Sequence, residues 1–182
     1  MLSLKSDTKR SYNHKELLMI IRDAALEDAS EIADIYNFYV VNTRTTFEER
    51  KVSEKEMSIR LKKVVDSDLP WLVAVIDEAV VGYAYATKWK ERSAYRFSVE
   101  STIYLANGTE GKGVGSVLYQ ALINKLKLKG INNVIGGIAL PNPASVGLHE
   151  KMGMEKVAHF SKVGFKFDEW LDVGYWQLKL HT

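Results

Sequence analysis

The chain has 182 residues, 46% of them apolar and 26% charged, with a formal net charge of +2. That length suits one domain with a sizeable core rather than two, and neither the net charge nor any dense basic stripe makes a nucleic-acid footprint. The absence of cysteine excludes disulfides, thiolate metal ligands and a cysteine nucleophile, and no apolar run approaches the ~18 residues of a membrane span. A cytoplasmic protein that binds neither nucleic acid nor membrane is the resulting expectation.

Residues 1–18 are polar, mixed in charge and without the apolar segment of a signal peptide. They are expected to form a disordered extension, and residues 19–182 a single domain. Residues 17–22 read as a short strand. Apolar positions at 29, 32, 33, 35, 36, 39 and 40 have helical spacing and predict a helix over 28–43. Ser53 and Glu56 fit a capping box that starts a second helix over 53–65. The polar loop between the two holds one conspicuous aromatic, Phe47.

Strands follow at 71–76 and 80–89. They lie close enough across Asp77-Glu78-Ala79 for an antiparallel hairpin, although the turn lacks the Asn-Gly or Asp-Gly signal. A charged loop, 90–96, leads into a strand over 97–105. A glycine-rich stretch then opens a helix over 113–129, which Gly130 closes. Residues 133–139 read as a strand. Asn142-Pro143 is a helix N-cap followed by proline at the first helical position, and that helix runs to Met152. The remainder reads as strands over 154–167 and 175–180, joined by a loop containing Trp170. The order β-α-α-β-β-β-α-β-α-β-β argues for a mixed sheet.

A strand that runs into glycines at 111, 113 and 115 and then into a helix makes a site for an anionic ligand. The loop has little side-chain bulk, and the first helical amides lack an intrahelical acceptor and carry roughly half a positive charge. A Walker loop is excluded because Lys112 is followed by Gly113 rather than by Ser or Thr. The dinucleotide fingerprint is excluded by the G-x-G-x-G spacing and by the antiparallel-looking meander that precedes it.

Two further patterns narrow the reading. Glu110-Gly111-Lys112-Gly113-Val114-Gly115 resembles the Q/R-x-x-G-x-G/A motif of the GNAT superfamily of N-acetyltransferases. The stretch NPASVGLHEKMGM at 142–154 resembles the second motif of that superfamily. WKERSAY at 89–95, VEST at 99–102, LHEKMG at 148–153 and DVGYWQ at 172–177 are similar to its phosphinothricin N-acetyltransferase group. The resemblance implies an α/β (α+β) fold, with a central mixed, mostly antiparallel sheet of about seven strands flanked by about four helices. It implies acetyl-CoA as co-substrate, a homodimer, and acetylation of the α-amino group of a small amino acid such as phosphinothricin or methionine sulfoximine. Glu110 departs from the Gln or Arg of the motif. It is expected to face solvent while the main-chain amides of 111–116 carry the binding.

Moving an acetyl group from a thioester to an amine requires a neutral amine, a polarised carbonyl and a proton for the departing thiolate. An α-amino group is mostly ammonium at neutral pH, so a base must collect its proton. Glu100 is the candidate: it is a lone acid in an apolar and hydroxyl-bearing strand, and burial would raise its pKa toward the working range. The alternative is a solvent-facing strand glutamate. His149 stands where the superfamily motif usually has the tyrosine that protonates the departing CoA, which makes it a candidate acid or shared base; otherwise it is a structural histidine. Lys90, Arg92 and Arg96 are candidates for the substrate's anionic group, since a guanidinium grips a carboxylate through two parallel hydrogen bonds; otherwise they are solvated loop charges. Phe47 and Tyr39 are candidate walls of that pocket, or else core.

For the co-substrate, Ile103, Tyr104 and Leu105 are expected to lend backbone edge to the pantetheine arm. Gly111, Lys112, Gly113, Val114, Gly115 and Ser116 are expected to hold the diphosphate, and Asn142 to cap its helix while reaching the arm. His14, His159 and His181 form no ligand spacing with His149, so no metal is expected. Two alternatives stay open: another primary amine as acceptor (a polyamine, an aminoglycoside or a protein N-terminus), and a non-catalytic CoA-binding module. The basic loop before Glu100 favours an acceptor that carries an anion.

Overall fold

The computed structural model describes residues 18–109 and 111–181. The expected extension therefore lies almost wholly outside the described residues, and so does Glu110. In chain order the elements are β1 (Ile20–Asp23), α1 (Ala29–Asn42), α2 (Glu54–Asp66), β2 (Trp71–Ile76), β3 (Ala79–Lys88), β4 (Ser98–Leu105), α3 (Val114–Leu128), β5 (Asn133–Leu140), α4 (Pro143–Lys151), β6 (Glu155–Lys166) and β7 (Glu169–Lys179). The strands form a seven-stranded sheet in the order β1-β2-β3-β4-β5-β7-β6. Every neighbouring pair is antiparallel except β4 and β5, which are parallel. This is the expected mixed, mostly antiparallel architecture.

Alternation along the strands builds a core on each face of the sheet. Leu72, Ala74, Ala84, Ala86, Val99 and Val134 pack with Leu118, Leu122 and Leu126 of α3. Their neighbours Trp71, Val73 and Tyr83 pack with Ile32 and Tyr36 of α1 and with Met57 and Leu61 of α2. The sequence-predicted caps form as drawn. Ser53 Oγ accepts from the Glu56 amide at 3.2 Å, while Glu56 Oε2 accepts from the Ser53 amide at 2.9 Å. Asn142 Oδ1 accepts from the Ser145 amide at 3.1 Å, with Pro143 in the first turn of α4.

The C-terminal region differs from expectation. Trp170 does not lie in a connecting loop; it lies in β7, paired with Phe165 of β6. The strands are joined by a tight turn in which Phe167 and Asp168 both take positive φ, at 52° and 58°. Asp77 and Glu78 make the β2–β3 turn in the same way, at 48° and 66°. The twist of a two-residue hairpin favours left-handed backbone at both positions, and here it is imposed on residues that do not advertise it.

What positions the site is an incomplete join in the sheet. β3 pairs with β4 from Gly82 to Lys88, and β5 pairs with β7 along its whole length. Between β4 and β5 the register runs only through Ser98–Asn133, Val99–Val134 and Glu100–Ile135. Beyond Glu100 the two strands part, leaving residues 101–105 and 136–140 to face one another across a gap.

Candidate active site

Glu100 is the last residue of the β4–β5 join, half-buried at the head of the gap. Burial raises its carboxyl pKa above the usual value, and the positive charge of Lys90 acts against that rise. Across from it, β5 carries Gly137. A Cβ there would sit 3.3 Å from Glu100 Oε1 and 3.1 Å from the Tyr175 ring, so the glycine keeps the space beside the carboxylate clear. Glu100, Thr45, Thr46, Phe47, Tyr175 and His149 line a cavity of about 280 Å³, at the small end of the range for ligand pockets.

His149 reaches this cavity from the opposite face of the sheet. It is only 4% exposed, and its ring lies where a Cβ on Gly136 would fall, edge-on to Tyr119 at 5.1 Å. Its Nδ1 is 2.7 Å from the Ser145 carbonyl. A carbonyl can only accept, so Nδ1 carries the hydrogen and Nε2 keeps its lone pair. Burial pushes the imidazole pKa down, which keeps the ring neutral near neutral pH. Glu100 and His149 thus belong to opposite faces, and only the parting of β4 and β5 lets both line one cavity.

A second cavity, of about 470 Å³, continues along the gap to the start of α3. Thr45, Ile103, Tyr104, Asn142 and Ser145 line both cavities, making one continuous channel. At its far end stand Gly111, Gly113, Gly115 and Ser116. Gly111 and Gly113 take φ of 76° and 81°, and Gly113 caps α3 without a side-chain hydrogen bond. A Cβ on Gly115 would press on Leu105 and Leu148 at 3.3 and 3.4 Å, so its small size sets how closely the helix approaches both. The loop therefore presents backbone amides at a helix N-terminus, a surface suited to phosphate oxygens. Lys151 of α4 adds a cation there, its Nζ donating to Ser116 Oγ at 3.0 Å.

The expected residues sort unevenly onto this channel. Ile103, Leu105 and Asn142 line it, and Phe47 walls the Glu100 end. Tyr104 lines it too, with its ring packed against Tyr36, Tyr39 and Tyr83. Tyr39 belongs to the other end: it lines the larger cavity and donates its hydroxyl to the Leu105 carbonyl at 2.7 Å. Val114 is 2% exposed, packed in the core, and lines neither cavity, and Lys112 is exposed and likewise lines neither. Lys90, Arg92 and Arg96 also line neither. Lys90 lies over Trp89, and the Arg96 guanidinium lies over Phe97, 4.5 Å from the ring centre. Lys151, Tyr175 and the pair Thr45-Thr46 escaped the sequence reading. Lys151 and Tyr175 stand inside quoted motifs, which was the available signal. Among the described residues no cluster of three or more His, Cys, Asp or Glu is placed to hold a metal.

Residues 21–174 match the model of the acetyltransferase (GNAT) domain. The chain belongs to the GNAT acetyltransferase family. This acetyltransferase is 37% identical over 157 residues to the phosphinothricin N-acetyltransferase of Streptomyces viridochromogenes, covering 86% of this chain and 85% of that one. It is 36% identical over 162 residues to the L-methionine sulfoximine/L-methionine sulfone acetyltransferase of Pseudomonas aeruginosa, covering 88% and 94%. The solved structure of a phosphinothricin acetyltransferase from Sinorhizobium meliloti in complex with acetyl-CoA superposes with a TM-score of 0.86 at 36% identity, covering 88% of both chains.

Proposed function

We propose that residues 19–182 form one catalytic unit that transfers the acetyl group of acetyl-CoA directly to the α-amino group of a small amino acid such as phosphinothricin or methionine sulfoximine. The observation that carries this reading is a half-buried carboxylate, its pKa raised, at the head of a channel whose far end is a glycine-lined helix N-terminus. The names of the similar enzymes supply the acceptor class. For the co-substrate, the sequence fits at both ends: amides of 111–116 with Lys151 for the phosphates, and the unpaired edges of β4 and β5 for the amide-bearing arm.

The proposed chemistry needs no covalent enzyme intermediate. Glu100 takes a proton from the substrate ammonium, leaving a neutral amine. The amine lone pair attacks the thioester carbonyl carbon, and the C–S bond then breaks. The second proton lost by the nitrogen as it becomes an amide passes to Nε2 of His149, the ring atom left with a lone pair, and from there to the departing sulfur. The products are the N-acetyl amino acid and CoA, with one proton left on Glu100. Lys90, whose charge is felt at Glu100, is the proposed partner for the acceptor's anion, and Phe47 its apolar wall. Arg92 and Arg96, the other expected anion partners, belong to the same charged loop as Lys90.

The acetyltransferase is further proposed to be a cytoplasmic homodimer. Phe160, Val163, Phe165 and Trp170 of β6 and β7 are 48–61% exposed, an apolar surface suited to a second copy; sedimentation as a monomer would overturn that assignment. The acceptor is tested by CoA release across free amino acids, methionine sulfoximine and phosphinothricin, beside polyamines, aminoglycosides and N-terminal peptides. Turnover of the amino acids above the other amines is expected. Turnover of none of the amino acids would refute the proposal.

A further inference from the structure

Lys166 is a lysine where lysine is costly. It is 1% exposed at the end of β6, and its ammonium lies 5.0 Å above the centre of the Phe167 ring. Its Nζ donates to the Thr46 carbonyl at 2.8 Å, across 120 residues of sequence. A buried charge survives only where it is paired or hydrogen-bonded, so this contact anchors the loop between α1 and α2 to the β6–β7 hairpin. The same loop supplies Thr45, Thr46 and Phe47 to the cavity beside Glu100.

Two more contacts act at the same seam. The Phe47 ring occupies the space that a side chain on Gly164 would need, and Arg44 pairs with Glu169 at 2.8 Å. The opposite flank of the loop is tied to the helices. Thr46 Oγ1 meets the Tyr36 hydroxyl at 2.7 Å, and Glu48 binds Arg60 at 2.6 Å. The loop is thus held from two sides, with Phe47 packed on the hairpin side. Burial lowers the Lys166 pKa, which the carboxylates of Glu49 and Glu48 oppose.

We infer that the β6–β7 hairpin, through Lys166 and Gly164, sets the position of Thr46 and Phe47, which line only the cavity beside Glu100, and so tunes acceptor recognition far more than acetyl-CoA binding. Lys166 is on this view a positioning residue that touches no substrate and acts through Thr46 and Phe47. The inference rests on the proposed acceptor reading, since the wall matters only if the amino acid occupies the cavity beside Glu100.

The test compares Lys166→Met, Gly164→Ala, Phe47→Ala and the Lys166→Met/Phe47→Ala pair, with L-methionine sulfoximine and L-phosphinothricin as acceptors. Losing a hydrogen bond to a charged group is expected to raise the amino-acid KM roughly ten- to hundred-fold in Lys166→Met, with a much smaller change in the acetyl-CoA KM, whose cavity shares only Thr45 with the 45–47 wall. Gly164→Ala should raise the amino-acid KM in the same sense, and the paired variant should be no worse than Phe47→Ala. Hydrogen exchange, which needs no acceptor, should quicken at the amides of residues 43–48 in Lys166→Met. Equal losses for both substrates, additive losses in the paired variant, or unchanged exchange in the loop would overturn the inference. If Lys166→Met does not fold, an unaltered amino-acid KM in Gly164→Ala overturns it. Absence of turnover by the unsubstituted enzyme refutes the acceptor reading and with it the recognition part of the inference, while the exchange measurement still decides whether Lys166 holds the loop.

Discussion

Replacing Glu100 by Gln keeps the shape of the side chain and removes its charge, so it separates base catalysis from packing. A general base contributes ~10²–10⁴ in rate, equivalent to about 2.7–5.5 kcal/mol of barrier, and kcat should fall by that range. The direction of the pKa shift adds a second signature. Because burial raises the Glu100 value, the acid limb of the kcat/KM profile should fall above the ordinary carboxylate range, and it should vanish in Glu100→Gln. Lys90→Met, which removes the charge that counters the rise, should move that limb higher still. The same shift bears on stability. Between the unfolded and the raised folded value the native state holds more protons than the unfolded one, so stability falls as pH rises through that window. Glu100→Gln is relieved of this loss and should be as heat-stable as the unsubstituted enzyme at neutral pH, or more so. Thiol-release assays across pH, with thermal melts in parallel, read all three effects. A near-normal rate, or an acid limb that survives in Glu100→Gln, would remove Glu100 from the role of base.

Gly137→Ala places a methyl 3.1 Å from the Tyr175 ring and 3.3 Å from Glu100 Oε1; kcat/KM for the amino acid should drop while calorimetric affinity for CoA holds. Gly113→Val forces a β-branched residue to φ 81°, a backbone region that costs non-glycine residues roughly 1–2 kcal/mol, and calorimetry should show weakened CoA binding. Lys151→Ala should weaken CoA binding in a salt-dependent way, because the ammonium stands beside Ser116 at the amides of α3. His149 has a pKa lowered by burial. As pH drops below the usual histidine value the unfolded state takes up a proton that the native state refuses, so stability falls with acidification. His149→Gln should flatten that part of the melting-temperature profile.

Sequence pattern was most informative where local chemistry decides structure. Ser53 with Glu56 and Asn142 with Pro143 marked two helix starts because capping is settled within one helical turn. The glycines at 111, 113 and 115 marked the α3 N-terminus for the same reason. Legibility failed where a partner far along the chain decides. Phe167 and Asp168 turn the β6–β7 hairpin in left-handed conformations that neither residue announces, so Trp170 read as loop although it pairs in β7. Lys166 looks like any strand lysine until Thr46, on another element, is folded over it. The charged loop before β4 is near Glu100 in sequence, yet Arg96 turns its guanidinium onto Phe97. Proximity along a chain sets reach, and orientation is set by packing.

The short seam between β4 and β5 also has a thermodynamic side. Strands β1 to β4 and strands β5, β7 and β6 form two ladders, and the register that joins them covers only three residue pairs. Local opening favours regions of sparse backbone pairing, so this seam is where the sheet is expected to part first, although the α3 core bridges it on one face. A ligand that spans the gap binds the closed form and lacks a site in the parted one. At a hundred times its Kd it would add about 2.7 kcal/mol to the native state. The supply of acetyl donor would then govern how long the folded enzyme lasts as well as how fast it turns over.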